Sequence, residues 1–94
     1  MVLEIAVFTA RPGHADQFAE AYREAGAIIS AAPGCRSARM LRGVEHLDRF
    51  TLLVDWETIE AHMEGFRGSE QFGAWRTLLE PHFDAVEMHH VAEL

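Results

Sequence analysis

Lysine is absent from this 94-residue chain, and cysteine occurs once. A single cysteine excludes an intrachain disulfide framework and a cysteine-based zinc site. Positive charge is scarce: eight arginines face 15 Asp and Glu, for a formal charge of −7. That balance argues against nucleic acid as a partner, because phosphate binding needs a basic patch. No apolar run approaches the ~20 residues of a membrane span. Met1-Val2-Leu3-Glu4 lacks the basic stretch that opens a secretory signal. The GxGxxG and Walker loops, the GxSxG elbow and HExxH are all missing. The length leaves room for one domain, residues 1–94. A chain this short buries only ~60–65 % of its unfolded surface, so its core is thin and self-association is a common remedy. The expectation is a small soluble cytoplasmic domain that binds neither nucleic acid nor membrane.

What is present is a regular alternation of apolar patterns. Val2 to Thr9 reads as a strand, with Leu3, Ile5 and Val7 on one face and Val2, Ala6 and Phe8 on the other. Arg11-Pro12-Gly13 breaks it. From His14 to Ala32, Ala15, Phe18, Ala19, Tyr22, Ala25, Ile29 and Ala32 fall on one face of an amphipathic helix, which Pro33-Gly34 ends. Cys35 to Gly43 is an arginine-rich second strand, Val44 to Asp48 a polar turn, and Arg49 to Trp56 a third strand with two apolar faces. Thr58 caps a short helix whose stripe is Ile59, His62, Met63 and Phe66. Ser69 caps another, with Phe72, Trp75, Leu78 and Leu79 inward and Pro81 near its end. Phe83 to Val91 is the last strand.

The order β-α-β-β-α-α-β is that of a ferredoxin-like α+β fold with an antiparallel four-stranded sheet. Right-handed crossovers put the helices on one sheet face only. The first and third strands are nonetheless apolar on both faces. A second copy of the chain, sheet against sheet, would cover the other face as a two-fold dimer.

Six histidines are the main reservoir of chemistry. His62 falls on the apolar stripe of its helix, and His90 shares strand parity with Val86 and Met88. Their ordinary reading is a hydrogen-bonded core imidazole; the functional one is a pair that moves a proton in an apolar pocket. His14, His46 and His82 fall at a helix start, a turn and a helix end, and receive no chemistry. Neither HxxxH nor HxH occurs, and His89-His90 points its rings to opposite faces, so no metal site is expected. Trp56 ends the third strand as either a core residue or a pocket wall. Phe66, Phe72 and Trp75 extend that aromatic set at a spacing that core packing alone would also give. Arg36, Arg39, Arg42 and Arg49 cluster on the second and third strands, where charge on the second strand, an edge, deters unwanted pairing; pairing with acidic residues across a dimer and anion binding are the alternative roles. Cys35 is a small strand residue.

Leu53-Val54-Asp55-Trp56-Glu57-Thr58-Ile59-Glu60-Ala61-His62 resembles a characteristic stretch of the antibiotic biosynthesis monooxygenase family. Phe66-Arg67-Gly68-Ser69-Glu70-Gln71-Phe72, Trp75, Pro81 and His90 resemble its second half, and Ala10-Arg11-Pro12-Gly13 and Ala32-Pro33-Gly34 its first. The resemblance implies a dimeric α/β barrel with a cavity between sheet and helices. It also implies oxidation of a small electron-rich aromatic, anthrone- or quinol-like, by O₂ without metal, flavin or haem. In that reading Trp56, Phe66, Phe72 and Trp75 hold the ring, His62 is the pocket base and His90 relays. His62 stands where one well-known type has a relay Tyr, and Leu52 where it has an assisting Asn. A haem-degrading branch differs at Val7, Phe66 and Arg76. Two other readings use the same scaffold: a non-catalytic binding or regulatory domain for a small aromatic, and an isomerase or cyclase that needs no O₂.

Overall fold

The computed structural model describes residues 1–94. β1 (Val2–Ala10) leads to α1 (Ala15–Ser30), β2 (Cys35–Arg42) and β3 (Arg49–Trp56). A six-residue π-helix (Ala61–Phe66), α2 (Glu70–Leu79), a single 3₁₀ turn (Glu80–His82) and β4 (Phe83–Val91) complete the chain. The four strands form an antiparallel sheet in the order β2-β3-β1-β4. This is the ferredoxin-like α+β fold expected from the pattern, with β2 and β4 as the edges.

The two sheet faces differ sharply. Glu4, Ala6, Phe8 and Ala10 of β1 and Phe50, Leu52, Val54 and Trp56 of β3 are buried beneath the helices. Phe18, Ala25 and Ile29 of α1 and Trp75 and Leu79 of α2 close the core from above. Full burial of side chains of this size contributes ~1.5–3 kcal/mol each. On the opposite face Leu3, Ile5, Val7 and Leu53 are half-buried, while Leu41 and Val91 are exposed. No helix is long and apolar enough to cross a membrane.

Turns follow the residues that permit them. Gly13 and Gly34 have φ of 79° and 84°, a region that favours glycine. At Gly34 an added Cβ would also lie 2.6 Å from the Ala61 Cβ. The Gly34 carbonyl accepts the Glu57 N–H at 2.8 Å, which fixes the start of β2 against the entry to the π-helix.

The segment after β3 departs from the expected stripe. His62 and Phe66 are buried, but Ile59 and Met63 are 42 % and 40 % exposed. Thr58 does cap it, since its Oγ1 accepts the Ala61 N–H at 3.1 Å. The helix then widens: the Arg67 N–H reaches back five residues to the His62 carbonyl. A wider turn keeps positions four apart on one face and swings the third-neighbour position away, so the ordinary helical spacing does not apply. Ser69 caps α2 as expected, accepting the Phe72 N–H at 3.3 Å.

Candidate functional site

β1 is paired with both β3 and β4, and this brings three distant residues together. Val2 faces Trp56, and Glu4 lies opposite Val54 on one side and His90 on the other. Glu4, Trp56 and His90 therefore share the helix-covered face. The π-helix lowers His62 onto them.

Glu4 is only 4 % exposed. Its Oε1 accepts the Trp56 Nε1–H at 3.0 Å and lies 3.3 Å from His62 Nε2. No protein group donates to its Oε2. His62, also 4 % exposed, has its Nδ1 2.8 Å from His90 Nε2. The His62 ring stacks on the Trp56 indole, with centroids 5.0 Å apart and planes 12° from parallel, and meets His90 edge-on. The result is a continuous chain from Trp56 through Glu4 and His62 to the half-buried His90.

Electrostatics assign a protonation order. Burial pushes the Glu4 carboxyl above its ordinary 4.5, opposed by the Trp56 hydrogen bond and the charge of Arg67. Burial, with His90 and Arg67, lowers His62 to about 4. A proton entering the pair thus goes to Glu4 before His62. With Glu4 ionised, His62 donates Nε2–H to Oε1, and its bare Nδ1 accepts the Nε2–H of His90. With Glu4 protonated on Oε1, the Glu4–His62 and His62–His90 contacts work with donor and acceptor reversed, while the Trp56 Nε1–H still donates to Oε1. The two arrangements differ by one proton, so the chain can take one up at Glu4 and release it at His90.

Glu4 and His62 open onto a cavity of about 520 Å³ between sheet and helices. Phe66, Phe72 and Trp75 line it, as do Phe8, Phe83 and Met88. Phe66 stands edge-on to both Phe72 and Trp75. Trp75 lines the cavity with a buried indole N–H that has no partner, a donor whose isolation costs ~1–3 kcal/mol. Among the expected ring-holding residues, Trp56 is not in the lining. It is fully buried behind Glu4, because its strand position puts it in the core and its N–H is used on the carboxylate. His90 also lies outside the lining and connects to it only through His62.

Sequence reasoning overlooked Glu4. Its signal was present as a lone carboxylate between Val2 and Ala6 on an apolar strand face. A second overlooked feature is the contact between His14 and His82, whose Nδ1 atoms are 3.1 Å apart. It joins the start of α1 to the 3₁₀ turn. No group of three or more His, Cys, Asp or Glu side chains is placed to hold a metal ion.

Residues 1–78 match the antibiotic biosynthesis monooxygenase family. YczJ of Bacillus subtilis, an uncharacterised protein, is 39 % identical over 79 residues, which is 84 % of this chain and 83 % of that one. The crystal structure of a Bordetella bronchiseptica protein, assigned only by inference as an antibiotic biosynthesis monooxygenase, superposes with a TM-score of 0.93 at 34 % identity, covering 99 % of this chain and 96 % of the other. SnoaB, a cofactor-independent oxygenase from Streptomyces nogalater, superposes with a TM-score of 0.83 at 17 % identity, covering 98 % and 91 % of the two chains. At that identity the likeness to SnoaB is one of fold.

Proposed function

The chain belongs to the antibiotic biosynthesis monooxygenase family, and from that premise we propose that it is a cytoplasmic, cofactor-independent monooxygenase that oxidises a small anthrone- or quinol-like aromatic with O₂. The observation that carries this reading is the buried Glu4–His62–His90 chain opening into an aromatic cavity. Such a substrate supplies its own electrons once it has lost a proton. The protein then needs a base, an apolar shell and orientation.

Glu4 is the base in this proposal, in place of His62. Its Oε2 is the free acceptor of the chain, and its raised proton affinity suits it to a weakly acidic substrate. His62 holds the carboxylate at Oε1, and once the proton has moved from Oε2 to Oε1 it passes through His62 to His90. Phe66, Phe72 and Trp75 hold the ring. Trp56 acts through Glu4 as a positioning residue. The anion gives one electron to O₂, the two radicals join in a C–O bond, and loss of water leaves the quinone. For an anthrone, the ring CH₂ becomes C=O and the second oxygen atom leaves as water.

The test is aerobic turnover of an anthrone and quinol panel by metal-free protein. Quinone formation abolished by anoxia supports the reading. No product from any member contradicts it, and activity that survives strict anoxia selects an isomerase or cyclase instead.

The open sheet face supports a homodimer, in which a second copy covers Leu3, Ile5, Val7 and Leu53. Light scattering should give twice the chain mass at micromolar concentration; a monomer would contradict this pairing.

A further inference from the structure

Three of the eight arginines line the cavity: Arg11, Arg67 and Arg76. Arg76 is bound to Glu80. Arg11 follows β1 at the end of the sheet where Ala10 pairs with Phe83, away from the Glu4–His90 pair. Arg67 stands apart from both. It directly follows the π-helix that carries His62, and its backbone N–H bonds the His62 carbonyl at 3.0 Å.

The Arg67 guanidinium makes no ion pair. It lies over the Phe72 ring at 5.5 Å from the centroid, with a long contact of 4.0 Å to Met63 Sδ. Both neighbours orient it without neutralising it. Its charge nevertheless reaches Glu4 and His62. This is an unmatched cation at the proton-accepting end of an apolar cavity, in a chain whose net charge is −7.

We propose that Arg67 is a further catalytic residue, whose guanidinium stabilises the oxyanion formed when a cavity-bound aromatic hydroxyl or enol gives its proton to Glu4. The substrate class is thus narrowed to aromatics with an ionisable ring oxygen, held with that oxygen between Arg67 and Glu4. In the step, the O–H bond breaks and an O–H bond to Glu4 Oε2 forms. The negative charge moves from the carboxylate to the ring oxygen. A cation in contact with both states equally would not help. Arg67 is not ion-paired with Glu4, and in the proposed pose the ring oxygen contacts it directly, so the cation favours the product of the transfer. The inference rests on the oxygenase reading only for the kind of ligand.

The probe is 2-hydroxyanthraquinone, which resembles a product and changes colour on ionisation. Its absorbance is titrated against pH when bound to wild-type protein, Arg67→Gln and Arg67→Lys. Binding to wild type should lower the ionisation midpoint by about one pH unit, a roughly tenfold gain in ionised ligand. A larger shift is not expected, since Arg67 is exposed and screened. Arg67→Gln should abolish the shift, and Arg67→Lys should restore part of it. Affinity for unsubstituted anthraquinone, measured in parallel, should fall less in Arg67→Gln than affinity for the ionised probe. Equal midpoints in wild type and Arg67→Gln overturn the role of Arg67, even if anthrone is turned over. An Arg67-dependent midpoint without anthrone turnover supports the oxyanion contact and counts against the oxygenase reading. Failure of wild type to bind the probe overturns both.

Discussion

The chain holds two histidine pairs of similar geometry in different surroundings. His62 and His90 meet at 2.8 Å, His14 and His82 at 3.1 Å. The first pair is tied to a buried carboxylate and an indole N–H, and one of its rings faces an aromatic cavity. The second pair has no ion-paired carboxylate and lies between the start of a helix and a 3₁₀ turn. In the proposed mechanism two imidazoles in contact are not enough for a proton path: it also needs a group that takes the proton first and an opening for the substrate, and Glu4 is placed to supply both.

The sharpest break in this comparison comes from Glu4→Gln. It keeps side-chain size and an oxygen for the Trp56 N–H, but removes the base. Turnover of an anthrone should fall by roughly 10²–10⁴-fold. His14→Phe, at the other pair, should leave turnover unchanged. His62→Ala should cost less, roughly 10²-fold, because the base remains while its support and proton exit are lost. A rate unchanged by His62→Ala would remove His62 from the mechanism.

The next effect is on stability. The folded His62 titrates at about 4, against 6.5 when unperturbed. Between these values the unfolded chain holds the extra proton, so this residue makes stability rise with pH from about 4 to 6.5. The full difference is on the order of 3 kcal/mol. Glu4 works in the opposite sense. Its raised affinity means that the folded chain holds the extra proton above 4.5, so its contribution falls as pH rises. In a Glu4→Gln background the His62 slope should appear alone, and His62→Phe should flatten it. Urea denaturation across pH measures this.

Smaller effects should follow at the two tryptophans. Trp56→Phe removes the hydrogen bond that lowers the Glu4 proton affinity, so the acid limb of the pH–rate profile should move to higher pH. An unmoved limb would deny Trp56 its positioning role. Trp75→Phe removes a buried donor without a partner but also leaves a smaller ring in the core, so the two effects offset and stability should change by less than about 1 kcal/mol, as urea denaturation would measure.

The fold was largely legible in the sequence because its signals are local. β3 occupies the expected residues, Ser69 caps α2, and the apolar face expected for α1 includes its buried residues Phe18, Ala25 and Ile29. The π-helix was not legible, since it breaks the spacing from which buried positions are inferred. Site composition was legible in part. His62, Phe66, Phe72 and Trp75 do line one cavity, whereas Trp56 and His90 stand behind it. Glu4 escaped notice because a carboxylate on a strand is ordinarily solvated. Its burial is set by pairing between β1, β3 and β4 and by the helix laid over them, none of which is local to residue 4.

The central claim is that Glu4 receives the substrate proton. Difference infrared spectroscopy on binding 2-hydroxyanthraquinone near neutral pH tests it most directly. A carboxylic-acid C=O band should appear as the ligand ionises, Glu4→Gln should abolish it, and His14→Phe should not. Ligand ionisation without that band, or a band that persists in Glu4→Gln, would contradict it.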